Sequence, residues 1–198
     1  MTRRPACFSI VCGALLLALP AGASTTPLDS VRSILEQASA IIAETQPRND
    51  RILALHEVAR ELLDTRTMGR RVLGRRLAEE PPETQERFHA LFDELIVRAW
   101  LQRLLLFEEP RFEYVGQRTE RDQPVVYTRI RTEVDAYGIA YEMRLASETW
   151  MATDIRVEGI SLLKNYRSQF KRLLEHQSFE EVLARMERKV TVLSEDDS

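Results

Sequence analysis

Residues 149–170 read TWMATDIRVEGISLLKNYRSQF, and this stretch decides the fold. Its first half alternates. Met151, Thr153, Ile155 and Val157 share one side, and Trp150, Ala152, Asp154 and Arg156 the other, the period of a strand with one buried face. Gly159 interrupts the alternation where a strand would bulge or end. Beyond Ser161 the period becomes helical, with Leu162, Leu163, Tyr166, Phe170, Leu173 and Leu174 on a broad apolar stripe. One segment therefore closes a sheet and turns back across it as a helix.

Working outward, the preceding chain reads as strands over Arg111–Gln117, Val125–Val134 and Ile139–Ser147, with Trp150–Glu158 as the fourth. Short turns between them predict an antiparallel meander. Val126, Ile130 and Val134 alternate, as do Ile139, Tyr141, Met143 and Leu145. Arg129, Arg131, Glu133, Glu142 and Arg144 alternate against them, so one face of the sheet meets water.

Helices come earlier in the chain. Thr26-Pro27-Leu28-Asp29 supplies an N-cap, a proline at the first helical position and an acid in the first turn, ahead of Val31, Ile34, Leu35, Ala38 and Ile42. Asn49 is placed to cap a second helix, and Met68, Val72 and Leu73 mark a short third ending near Gly74. Pro82 opens the longest, whose stripe from Phe88 to Leu104 runs to about Leu106. A last helix starts at the capping box Ser178-Phe179-Glu180-Glu181, and the acidic tail Glu195–Asp197 is expected to fray. Helices on both sides of a meander make the fold α+β: a twisted antiparallel sheet of about four strands against several helices.

Residues 1–23 read as a secretory signal, with Arg3 and Arg4, an apolar run from Phe8 to Leu19 and the small residues Ala21-Gly22-Ala23. The run is shorter than the roughly 20 residues that span a bilayer. Both cysteines, Cys7 and Cys12, fall inside residues 1–23, which leaves a single domain over 24–198 without a disulfide. Cys12 lies too early in the apolar run for a lipoprotein site. The whole chain carries 28 Lys and Arg against 31 Asp and Glu, and loss of Arg3 and Arg4 makes it more acidic still. Nucleic acid, which calls for a strongly basic face, is therefore not an expected partner.

Little in the chain suggests catalysis. His56, His89 and His176 stand singly on predicted helices, without the spacing that places two metal ligands on one face. Phosphate loops, dinucleotide fingerprints and nucleophile elbows are absent. No cofactor is expected. Asp154 resembles the general base of a steroid-isomerase-like enzyme only if it points into an apolar cone. The alternation turns it away, and pairing of Asp154 or Glu158 with Arg129, Arg131 or Arg144 is the expected structural role. Arg70-Arg71 and Arg75-Arg76 flank Val72-Leu73-Gly74. They read as a solvated helix face or, more sharply, as an electropositive rim for a lipid phosphate or an acidic surface.

The pattern W-x-A-x-D-I-x-x-E-G-I-S-L-x-x-N-Y-R-x-Q-F resembles the signature of the MlaC family, the toluene-tolerance auxiliary proteins of ABC transporters. Val72-Leu73-Gly74 followed by Pro82, Gln85, Phe88, Phe92 and Leu95 is similar to a second family segment. Thr153, Leu77 and Pro81 depart from the family pattern, where a tyrosine, an aromatic and a Ser or Thr cap are common. The resemblance implies an apolar pocket like that of NTF2-like cones, and a non-enzymatic periplasmic carrier of phospholipid. Its implied partners are an inner-membrane ABC transporter with an MCE-domain protein and an outer-membrane lipoprotein–porin complex. It also turns the large apolar residues on facing elements into an expected lipid-binding lining: Phe88, Phe92, Leu95, Tyr141, Met143, Leu145, Ile155, Val157, Ile160 and Leu163. A charge at Ile160 is then expected to flood the slot and release lipid. The competing readings are an isomerase-like enzyme on small apolar substrates and a periplasmic chaperone or adaptor.

Overall fold

The computed structural model describes residues 26–105, 111–132 and 135–196. The expected signal at 1–23, the helix end at Leu106, and Glu133 and Val134 lie outside them. Among the described residues there are seven helices and five strands. In chain order these are α1 (Pro27–Glu44), α2 (Arg48–Leu62), α3 (Thr65–Leu73), α4 (Arg75–Ala78), α5 (Pro82–Leu104), β1 (Arg111–Glu120), β2 (Gln123–Arg131), β3 (Ala136–Ala146), β4 (Thr149–Val157), β5 (Ile160–Ser161), α6 (Leu162–Leu174) and α7 (Phe179–Asp196).

Local chemistry explains most helix starts. Thr26 and Asp29 form a reciprocal capping box on α1, with the Asp29 amide donating to Thr26 Oγ1 at 3.1 Å. Ser178 and Glu181 repeat it on α7, which continues through Asp196 into the tail expected to fray. Helices α2, α4 and α5 have no side-chain cap; α2 begins at Arg48 behind Pro47, so Asn49 is inside the helix.

The sheet is a meander in the order β1-β2-β3-β4-β5, antiparallel throughout. Two-residue turns join β1 to β2 at Arg121-Asp122, β3 to β4 at Ser147-Glu148 and β4 to β5 at Glu158-Gly159. All six of these residues have positive φ, the backbone that fits the right-handed twist of the flanking strands. Gly159 is thus half of a hairpin turn, and the two-residue β5 is a strand that alternation could not show.

Strand β4 departs from strict alternation. Its pairing with β3 slips between Glu142 and Met143: Asp154 lies opposite Glu142, but Ala152 lies opposite Met143. Thr153 is the extra residue of a bulge. Ala152 therefore joins Ile155 in the core, both fully or almost fully buried, instead of facing away from it. The predicted face of Met151, Thr153, Ile155 and Val157 is split.

Layering also differs from expectation. Helices α1, α2, α3 and α6 pack on the sheet, whereas α5 packs mainly against α2, α3 and α7. The long helix is thus one layer removed from the strands. The α2–α3 corner is pinned to β4, where the Asp64 amide donates to the Ala152 carbonyl at 2.9 Å. Gly69 permits the close approach of α3 to α5, because a Cβ there would stand 3.1 Å from Phe88 and 3.3 Å from Phe92.

Candidate functional site

The expected lining separates into two groups. Phe88, Phe92 and Leu95 are buried on α5 among helices. Phe88 stacks on Phe92 at 5.4 Å between centroids and meets Phe170 edge-on at 5.7 Å, and Tyr166 abuts Phe92 at 5.9 Å. Tyr141, Met143 and Ile155 are buried on β3 and β4, with Val157 half-buried beside them. Burial pushes the Tyr141 hydroxyl up to about 12. Leu163 is buried at the start of α6. Leu145 and Ile160 are not inside: they are 51% and 72% exposed. Leu145 lies beyond the bulge, near the β3–β4 turn, and Ile160 follows directly on the β4–β5 turn. An apolar residue next to a hairpin turn has no second layer to cover it.

Two recesses stand out, and of the ten expected residues only Leu163 borders either. The larger, about 460 Å³, is a groove between the end of α3, α4 and α6. Val72, Leu73 and Leu174 give it apolar walls, and Arg71, Arg76, Arg167 and Lys171 surround them with Glu175 as the one acid. This is the Arg-flanked Val72-Leu73-Gly74 segment of the sequence, completed by α6. Arg167 and Lys171 recur at helical spacing beside Leu174 of the apolar stripe, a signal that the apolar pattern alone passes over. Gly74 holds φ +56 between α3 and α4, with open space where a Cβ would point.

The second recess, about 280 Å³, is polar and shares Arg71 and Arg167 with the groove. Its acids are already engaged. Glu142 pairs with Arg71 at 2.8 Å and Glu120 with Arg156 at 2.8 Å. Asp154 accepts from the Ser161 hydroxyl at 2.5 Å and from the Leu163 amide at 3.1 Å, while Ser161 caps α6 through the Lys164 amide at 3.0 Å. Asp154 and Ser161 of the signature are thus the two halves of one cap. The expected pairing of Asp154 with Arg129, Arg131 or Arg144 is not what the structure shows: Arg129 and Arg131 reach Glu113, and Arg144 reaches Asp64. Glu158 instead accepts from the Gly138 amide. Among the described residues Arg121, Lys164 and Lys171 have no side-chain partner.

Polar ties hold this region to the sheet. Arg71 donates to the Thr153 hydroxyl at 2.9 Å and to its carbonyl at 3.2 Å, and Arg167 donates to the Arg71 carbonyl. Asp64 caps α3 at the Thr67 amide and accepts from Arg144. Burial alone would raise its carboxyl, but the bonds from Arg144 and Thr67 outweigh that and hold it below the usual range. His56 and His89 are buried and shifted downward, in each case chiefly by loss of solvent. Among the described residues no three His, Cys, Asp or Glu side chains cluster as metal ligands, and no helix is long and apolar enough to cross a membrane.

Among solved structures, the phospholipid-binding protein from Ralstonia solanacearum in complex with a phospholipid is similar in fold, with TM-score 0.73 at 16% identity over 85% of this chain and 98% of that one. No curated protein matches the sequence. The family model described as MlaC protein matches residues 27–188, a span that runs from the first residue of α1 into α7 and takes in the capped strand-to-helix turn. The chain belongs to the MlaC family.

Proposed function

We propose that this protein is a periplasmic carrier that binds phospholipid and shuttles it between an outer-membrane complex and an inner-membrane ABC transporter complex. The observation that carries the reading is family membership over 27–188, joined to a fold shared with a protein solved with phospholipid bound. Two acyl chains hold about 30 methylenes, each worth about 0.8 kcal/mol when kept from water. Bare passage through an aqueous compartment therefore costs on the order of 20 kcal/mol, and a protein slot removes that barrier without a covalent step or a cofactor.

The acyl chains need more room than the open groove provides. The groove is about 460 Å³ and open to solvent, so it does not enclose two chains. We assign the second chain to the apolar interior behind it, bordered by Phe88, Phe92, Leu95, Tyr141, Met143, Ile155, Val157 and Leu163. Loading then requires α6 to part from its neighbours.

The isomerase-like alternative is disfavoured by Asp154, whose two carboxylate oxygens serve the α6 cap. Direction of transport comes from the partners, since a carrier alone only equilibrates lipid between donor and acceptor. The test is transfer of a fluorescent phospholipid between donor and acceptor vesicles separated by a protein-permeable membrane. The expected result is transfer that rises in proportion to added protein. Transfer at the protein-free rate would overturn the reading.

A further inference from the structure

The groove between α3 and α6 carries charge that an acyl-chain slot does not need. It has four cationic side chains and one acid in its wall, on a chain whose overall formal charge is −3. Their engagement differs. Arg71 is neutralised by Glu142 at 2.8 Å, and Arg167 covers the Arg71 carbonyl, so the end of α3 that would repel an anion is shielded. Lys171 has no side-chain partner among the described residues, and Arg76 has only an exposed contact to Glu79 at 3.6 Å. Beneath them Val72, Leu73 and Leu174 are apolar.

A concave site with apolar walls, and with Lys171 and the weakly paired Arg76 at its edge, matches one amphiphile with an anionic head, rather than the flat acidic face of another protein. Resting on the carrier reading above, we propose that this groove seats the head-group phosphate of the cargo lipid. Arg76, Arg167 and Lys171 hold the phosphate, and Val72, Leu73 and Leu174 receive the start of an acyl chain. The protein would then select for a phosphate-bearing head and not for acyl chains alone. Phosphate suits this geometry because guanidinium and ammonium groups together donate to several oxygens at once.

The test compares uptake of phosphatidic acid and of diacylglycerol with identical chains, each presented in phosphatidylcholine-free detergent-dispersed form to the delipidated protein. Wild type should take up phosphatidic acid at least about tenfold better, the least that a charge-assisted bond to phosphate supplies. Arg76→Glu/Lys171→Glu, confirmed folded by thermal melting, should lose that preference, whereas Lys171→Arg with Arg76 intact should retain it. Glycerol phosphate, which has the anion but no chains, should fail to displace the lipid at millimolar concentration. Equal uptake of both lipids by wild type, or an unchanged preference in the double variant, overturns the head-group seat but leaves a carrier. Displacement by glycerol phosphate at lipid-like affinity makes the groove a small-anion site and also overturns it. Uptake of neither lipid by wild type ends both readings at once.

Discussion

Helix α6 presents two faces in opposite environments. Its inner face sends Tyr166 and Phe170 into the aromatic cluster of Phe88, Phe92 and Phe179, where rings meet at 5.4 to 6.4 Å. Its outer face lines an open groove with Arg167, Lys171 and Leu174. The inner contacts are numerous and apolar, so they supply stability and give way only when the second acyl chain enters; the outer ones leave charge and space unfilled before any ligand binds. If this division holds, substitutions inside α6's contacts should unfold the protein and substitutions outside should change what it carries.

The largest effect is expected at the inner face. Phe92 is fully buried and touches rings from α5 and α6, so Phe92→Ala should cost about 3–5 kcal/mol in urea denaturation. A loss below about 1 kcal/mol would mean that the interior is loosely packed and that the contrast between the faces is false.

Next comes the junction of the two. Asp154→Ala strips the cap from the Leu163 amide and the Ser161 hydroxyl and should cost about 1–3 kcal/mol. An enzyme role would instead show as lost turnover in a fully stable protein.

A smaller, pH-dependent effect belongs to His56 and His89. Burial is the first cause of both lowered values, and for His89 the charges of Arg66 and Arg70 add to it against Glu86. Both imidazoles protonate more readily in the unfolded chain, whose ordinary value is 6.5. Stability is therefore complete above that value and declines as pH falls from it toward the lowered folded values. Melting temperatures between about pH 7.5 and 5 should fall, and His89→Gln should flatten the decline. An unchanged slope would show that His89 does not contribute.

The smallest effect is expected at Ile160. Exposed next to the β4–β5 turn, it should accept Ile160→Glu within about 0.5 kcal/mol, with lipid content unchanged. This reverses the expectation that the family resemblance implies for Ile160. A sharp loss of lipid would place the cargo at the hairpin and not between α3 and α6.

What the sequence made legible were features fixed by neighbours along the chain. The capping boxes at Thr26 and Ser178, the long helix from Pro82 and the four main strands all depend on residues a few positions apart, and they stand where the pattern puts them. Features set by pairing across the chain were hidden. The bulge at Thr153 follows from β4's register with β3, and it moves Ala152 to the core and leaves Asp154 free to cap α6. Periodicity showed that Phe88 and Phe92 face an apolar partner, but not that the partner is α3, α6 and α7 rather than the sheet. The groove was half visible: the arginine pairs around Val72-Leu73-Gly74 stood out, whereas Arg167 and Lys171 gain meaning only once α6 lies beside α3.

That the protein carries phospholipid is tested most directly by organic extraction of protein purified without detergent, followed by mass spectrometry of the extract. The expected result is glycerophospholipid at close to one molecule per chain, reduced in Arg76→Glu/Lys171→Glu at unchanged melting temperature. An extract from folded wild-type protein that contains no phospholipid, before and after incubation with vesicles, would contradict the carrier function.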